Sequence, residues 1–173
     1  MKRESGFTLV ELLVVVAVIG ILSAIAVMSV IRSRLAANEA AAIGSIRAIG
    51  SAQLSYSASC GNGYFATSLM TLGVPPPSAS ISYISPDLSG GAVVAKSGYN
   101  LTVSAGKGSG PGVLDCNGTA TSSGFYVSAV PLTFGSSGAR SFASASNANT
   151  SIWMTFTATP PPEPFAAPSL PLQ

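Results

Sequence analysis

Glu11 is the only ionisable residue between Phe7 and Ile31, in the run FTLVELLVVVAVIGILSAIAVMSVI. A lone acid costs roughly 2.5–3.5 kcal/mol at the centre of a bilayer and less near an end, so something must offset it. Snorkelling to the interface is one answer; pairing with a cation is another. Cys60 and Cys116 both follow the apolar run. In an oxidising compartment they could form a disulfide, and two unrelated buried thiols are the alternative. Catalytic material is otherwise scarce. The many serines lack a base, because the chain has no histidine. Asp87, Asp115 and Glu163 are scattered, which gives a carboxylate pair or a calcium cage little support. GKGSGPG at 106–112 lacks the spacing of a phosphate loop and reads as a flexible turn. These observations point away from an enzyme, a metal site and a bound cofactor. Arg47, Lys96, Lys107 and Arg140 could form a basic patch for DNA or adhesion. A net charge of +2 makes nucleic acid an unlikely main partner. The Asn-x-Ser/Thr triplets at Asn100, Asn117 and Asn149 fit chance occurrence in a Ser/Thr-rich chain better than glycosylation.

The elements that carry these residues follow from composition. At 173 residues the chain has room for one modest domain and a membrane segment. Only 8% of residues are charged, against roughly 25% in a soluble domain, and much of the apolar excess sits in residues 7–31. A helix over Phe7–Ile31 rises about 37 Å, enough to cross a hydrocarbon core of about 30 Å. Lys2 and Arg3 favour a cytoplasmic N-terminus, although Arg32 and Arg34 flank the far end. A cleaved secretory signal has a shorter core and small residues after it, whereas here Gly6 precedes the run. A plain single-pass anchor explains neither Gly6 nor Glu11.

The stretch MKRESG followed by FTLVELLVVVAVIGILSAIAV resembles the prepilin signature of type IV pilins and type II secretion pseudopilins. The resemblance implies cleavage between Gly6 and Phe7 by a prepilin peptidase, with methylation of Phe7. Glu11 then becomes the fifth mature residue. The new ammonium at Phe7 has a reference pKa near 8, so it stays cationic at neutral pH. It lies four residues from Glu11 in its own helix, and the resemblance implies a pair with Glu11 of a neighbouring subunit during assembly. Such a pair at about 4 Å gains roughly 4 kcal/mol at an effective dielectric near 20, comparable to the insertion cost. The implied partners are identical subunits in a helical filament, the inner-membrane assembly machinery and the lipid bilayer before assembly. The implied location is the bacterial inner membrane, single-pass with the head outside the cytoplasm, then an extracellular pilus. Relatives often carry proline where this chain has Met28, while Gly20 is retained; glycine weakens a helix far less than proline breaks it.

Beyond Ile31, Leu35, Ala42, Ile46, Ile49 and Tyr56 share one helical face, with Arg32, Arg34, Asn38 and Ser45 largely elsewhere. The helix is expected to stop near Ser59, with a left-handed Gly61 in CGNG. Candidate strands are Ser80–Ile84, Tyr99–Ser104, Phe125–Val130, Ser141–Ala145 and Ser151–Thr157, the last alternating Ile152, Met154 and Phe156 against Ser151, Trp153 and Thr155. PPP at 75–77 and SPDLSGG at 85–91 read as loops, and GYNLTVSAG and GARSFASAS resemble the β region of small-headed pilins. The expected organisation is a leader at 1–6, a filament-core helix at 7–31, an amphipathic half at 32–59, a β-rich head at 60–159 and a Pro-rich tail at 160–173. The tail reads as disordered, or as a strap over a neighbouring subunit with Phe165 and Leu170 as anchors. The expected fold class is α+β: a long N-terminal helix, apolar then amphipathic, packed on a small antiparallel sheet, as in the pilin fold. The expected function is a structural filament subunit. A secretion pseudopilin is the alternative, and a DNA-binding or adhesive module is a reading of another class.

Overall fold

The computed structural model describes residues 6–172, the Met28 side chain excepted; Lys2, Arg3 and Gln173 lie outside the described residues. The chain divides into two compact units, Met1–Arg34 and Leu35–Gln173. Helix α1, Leu9–Ser59, contributes to both.

In the first unit the helix is apolar on every side and its side chains are exposed, Leu9, Leu13, Val16, Ile19 and Ile25 among them. A helix apolar all round must be covered by hydrocarbon or by other helices. It begins at Leu9 rather than Phe7 and passes Gly20 without a break.

The second unit sorts the same helix into faces. Ala42, Ile46, Ile49 and Tyr56 are buried, as their spacing predicts, while Leu35 is half-buried and Ala52 joins the buried face. Ser45 is buried too, because its hydroxyl returns to the Ala41 carbonyl at 2.9 Å. Two further polar groups enter this face: Glu39, and Gln53, whose amide exchanges two hydrogen bonds with the Ala66 backbone. The helix ends at Ser59, but the left-handed residues are Asn62 and Gly63, not Gly61. Gly61 serves close approach instead: a Cβ there would run into the Tyr64 carbonyl and the Tyr56 ring.

Strands β1 (Phe65–Ala66) and β4 (Thr121–Ser122) form a small ribbon, with the short helix α2 (Leu69–Leu72) after β1. The main sheet contains β2 (Val93–Lys96), β3 (Tyr99–Ala105), β5 (Phe125–Pro131), β6 (Ser141–Ala145), β7 (Ile152–Thr155) and β8 (Leu170–Pro171). All its pairs are antiparallel, in spatial order β2-β3-β5-β6-β7-β8. Tyr99, Leu101 and Val103 alternate inward from β3 and join Phe125, Val127, Ala129 and Phe142 in one core with the helix face. The architecture is therefore α+β.

Several strand assignments change, and the short β1, β4 and β8 were not expected. Residues 80–84 form no strand: Ile81 is 81% exposed, and Tyr83 donates to the Leu72 carbonyl outside any ladder. β7 stops at Thr155, leaving Phe156 exposed, and Thr155 rather than Phe156 is buried. β2 was not expected. It is joined to β3 by the two-residue turn Ser97–Gly98, both at positive φ, which suits the twist of a hairpin.

The tail is not disordered: it packs on the sheet of its own chain. Tyr126 pairs with Ala145, and Ala143 with Trp153, so these four side chains share one face of the sheet. The two alanines leave a trough between two aromatic walls. Phe165 fills it, stacking on Trp153 at 5.4 Å and on Tyr126 at 6.3 Å between ring centroids. The Tyr126 hydroxyl donates to the Pro161 carbonyl at 2.6 Å, and Leu170–Pro171 completes the sheet edge as β8. Proline is tolerated at such an edge, where a missing N–H leaves no ladder bond broken.

Candidate processing and assembly site

Gly6, Phe7 and Thr8 precede the first helical turn, and Phe7 is 81% exposed. The Gly6–Phe7 bond thus lies in accessible chain ahead of the helix. Thr8 and Glu11 answer each other across the helix start. The Glu11 amide donates to Thr8 Oγ1 at 3.3 Å, and Glu11 Oε2 accepts from the Thr8 amide at 2.9 Å and the Thr8 hydroxyl at 2.8 Å. This reciprocal pattern is a capping box, which satisfies helix N–H groups that have no intrahelical partner. It also sets a negative charge at the positive end of the helix dipole.

Sequence reasoning placed the partner of Glu11 at the Phe7 nitrogen and missed Thr8. The signal was present, since Thr-Leu-Val-Glu has the capping-box spacing. While Gly6 remains attached, the Phe7 nitrogen is a neutral amide. A charge pair with Glu11 therefore requires the cut first.

In the second unit, Cys60 and Cys116 are joined by a disulfide with their Cα atoms 4.9 Å apart, which removes the free-thiol alternative. The Cys116 amide donates to the Cys60 carbonyl, and the Tyr56 hydroxyl donates to Asp115 Oδ2 at 2.7 Å. Burial, reinforced by that carboxylate, pushes the Tyr56 hydroxyl well above its usual range. Asp115 also accepts from the Asn117 and Thr119 amides, which folds its loop tightly around the disulfide.

Two of the four cations are held in ion pairs rather than free for a basic patch. Arg140 is paired with Glu39 and Lys96 with Asp87. Around GKGSGPG lies a shallow cleft of about 200 Å³, but Glu163 lines it and accepts from the Lys107 amide, placing an acid where a phosphate would have to sit. Of the three Asn-x-Ser/Thr asparagines, Asn117 donates to Pro75 and Asn149 adopts a left-handed turn, while Asn100 sits in β3.

Residues 1–27 match the model of the prokaryotic N-terminal methylation motif, the signature of type IV pilins and pseudopilins. No curated protein and no solved structure matches the chain. The helix that carries the motif is long and apolar enough to cross a membrane.

Proposed function

We propose that this chain, a type IV pilin-like or pseudopilin protein by its methylation motif, is a structural subunit of a type IV pilus-like filament. Prepilin peptidase removes Met1–Gly6 and methylates Phe7. The apolar stem then holds the subunit in the inner membrane until assembly, when stems bundle in the filament core. The head remains outside the cytoplasm and forms the outer surface. One observation carries the reading: the motif sits on a helix apolar all round, joined to a compact head with its own core. Such a stem has two states that cover it, a bilayer or a bundle of like stems.

The role is mechanical rather than catalytic. Glu11 acts as a registry device, because hydrophobic contact slides along smooth stems whereas a charge pair fixes their stagger. A pseudopilin of a secretion system shares the stem and the processing and is the second reading. It ranks lower because the head's acids are scattered rather than gathered in a calcium loop.

The test is intact-mass measurement on surface filaments together with imaging. Loss of MKRESG plus one methyl group, in filaments made mainly of this protein, supports the reading. Protein that retains Met1, or that is processed normally but never leaves the membrane as filaments, refutes it.

A further inference from the structure

We infer that the trough between Tyr126 and Trp153 is a groove for a proline-rich segment with one aromatic side chain, and that its occupant in trans is the tail of a second copy of this chain. Groove and tail both belong to the Leu35–Gln173 unit, so nothing here depends on the stem or on the filament reading.

The groove has the chemistry for such a segment. Its walls are nearly parallel: the Phe165 ring lies 10° from the plane of Trp153 and 27° from that of Tyr126, so one flat ring fits between them. Pro160, Pro161, Pro162 and Pro164 have no backbone donor, which leaves only their carbonyls to be satisfied. The Tyr126 hydroxyl donates to one of these, at Pro161. Aromatic walls are the feature by which extended proline-rich segments are recognised, and a segment already stiff loses little freedom on binding.

Two observations point from the chain's own tail to that of another copy. Among the described residues, three buried side-chain polar atoms have no hydrogen-bond partner, and two of them, Trp153 Nε1 and Ser169 Oγ, belong to this groove and this strap. Closed on its own sheet, the tail leaves one donor of the groove unused and one of its own hydroxyls unmatched. Its register there is set by a short tether. Only Phe156–Thr159 separate β7 from Pro160, and the Thr155 and Thr157 hydroxyls both donate to the Thr159 carbonyl. A tail from a second copy carries no such tether to this sheet. A cleft of about 380 Å³ beside the strap, with Tyr126, Lys107, Pro160 and Pro162 in its lining, gives it room to shift along the groove.

The second observation is charge. Glu163 is the tail's one charged side chain, and it accepts from the Lys107 amide at 2.6 Å. A tail of identical sequence brings that carboxylate to the same amide; an unrelated proline-rich segment does not. Concentration sets the balance between the two closures. The tether holds a tail at an effective concentration of about millimolar order at its own groove, so isolated copies close on themselves and crowded copies exchange.

The experiment co-expresses two full-length copies with different tags, one carrying Met154→Cys and the other Leu170→Cys. These residues face each other across β7 and β8, close enough for a disulfide. The native Cys60–Cys116 bond stays in place in both. The expected result is a mixed disulfide at least about fivefold more abundant than with a copy carrying Ile81→Cys, an exposed residue outside the strap, in place of the Leu170→Cys copy. Adding Phe165→Ala to the tail copy should lower it by a similar factor. A single chain carrying both Met154→Cys and Leu170→Cys checks that the pair closes. Closure there, with the mixed bond no commoner than in the Ile81→Cys control, overturns the inference and leaves the tail a strap of its own sheet. A mixed bond indifferent to Phe165→Ala also overturns it, and assigns the contact to collision of sheet edges. Failure of the single chain to close removes the β7–β8 pairing and the inference with it. A labelled peptide of residues 159–173, added to the full chain carrying Phe165→Ala, gives a second reading: binding is expected, and its absence overturns the groove.

Discussion

Glu39 and Arg140 meet across 101 residues of chain. The guanidinium donates to one carboxylate oxygen from Nε at 2.9 Å and from Nη2 at 2.5 Å, and the other oxygen accepts the Ala139 amide at 3.0 Å. Glu39 is buried, whereas Arg140 keeps 29% of its side chain exposed and lies 5.5 Å over the Phe142 ring. Removing the cation from a buried pair leaves an uncompensated charge, which costs more than the pair itself contributes. Arg140→Ala should therefore cost about 3 kcal/mol, the low end for buried pairs because the guanidinium is partly solvated. Glu39→Gln, which can still accept from Ala139, should cost less. Urea unfolding of the detergent-solubilised chain measures both, and an Arg140→Ala variant as stable as the parent would refute the assignment.

The capping box separates two roles of Glu11 that alanine alone would confuse. Glutamine can occupy the third helical position of a capping box but carries no charge. Glu11→Gln should be cleaved normally and accumulate in the membrane, yet yield no surface filaments. Thr8→Ala should weaken the helix start by about 1 kcal/mol and still assemble. Immunoblots for the cleaved form, with filament yield measured separately, read the outcome. Wild-type filament yield from Glu11→Gln would rule out charge as the registry device.

The strap should loosen in strong base. Burial, then the nearby Glu163 carboxylate, push the Tyr126 hydroxyl up to about 12 from 10.0. The folded state thus holds this proton more tightly than the unfolded state. Its contribution is complete below pH 10 and declines as pH rises toward 12. The chain has one tryptophan, Trp153, which stacks on Phe165, so its emission reports the strap directly. Tyr126→Phe should remove the alkaline change at Trp153 while Tyr56 and Tyr99 still titrate. An unchanged alkaline profile in that variant would assign the effect elsewhere.

Replacing Cys60 and Cys116 by serine should cost about 4 kcal/mol, the chain-entropy value for a loop of this length. The companion measurement is alkylation of unreduced, denatured filament protein, which should label neither cysteine. Labelling of both would contradict the bond, and an unaltered unfolding midpoint in the double variant would contradict its weight.

Periodicity made much of this molecule legible before any coordinates. The stem, the buried face from Ala42 to Tyr56 and the strands near Tyr99, Phe125 and Ser141 follow from local pattern, because each buries a face against one core. The misses have a common cause. Ser80–Ile84 has strand-like residues but no strand beside it. Conversely, Val93–Lys96 becomes a strand because Ser97–Gly98 can turn it back on β3. The Pro-rich tail looked structureless because nothing within it reveals that Ala143 and Ala145 leave space for Phe165. Glu39 and Gln53 gave no local sign of burial, because their partners, Arg140 with the Ala139 amide and the Ala66 backbone, lie outside the helix. At the N-terminus the cleavage bond and Glu11 were visible as a motif, whereas Thr8 needed only a closer look at spacing.

The head is fastened to its helix at two separated levels, by Asn38 and Glu39 near one end and by Tyr56 and Cys60 near the other. A pull along the helix axis therefore meets an ion pair, side-chain bonds and a covalent link acting side by side. No sheet ladder has to part first, so load is resisted in shear rather than by peeling one strand after another. The covalent link also sets a limit on travel. If the ion-pair end slips, Cys116 still ties its loop to the helix, and the head can reseat when tension falls. In the filament proposed above, recovery after overload would then be built into each copy rather than left to the polymer.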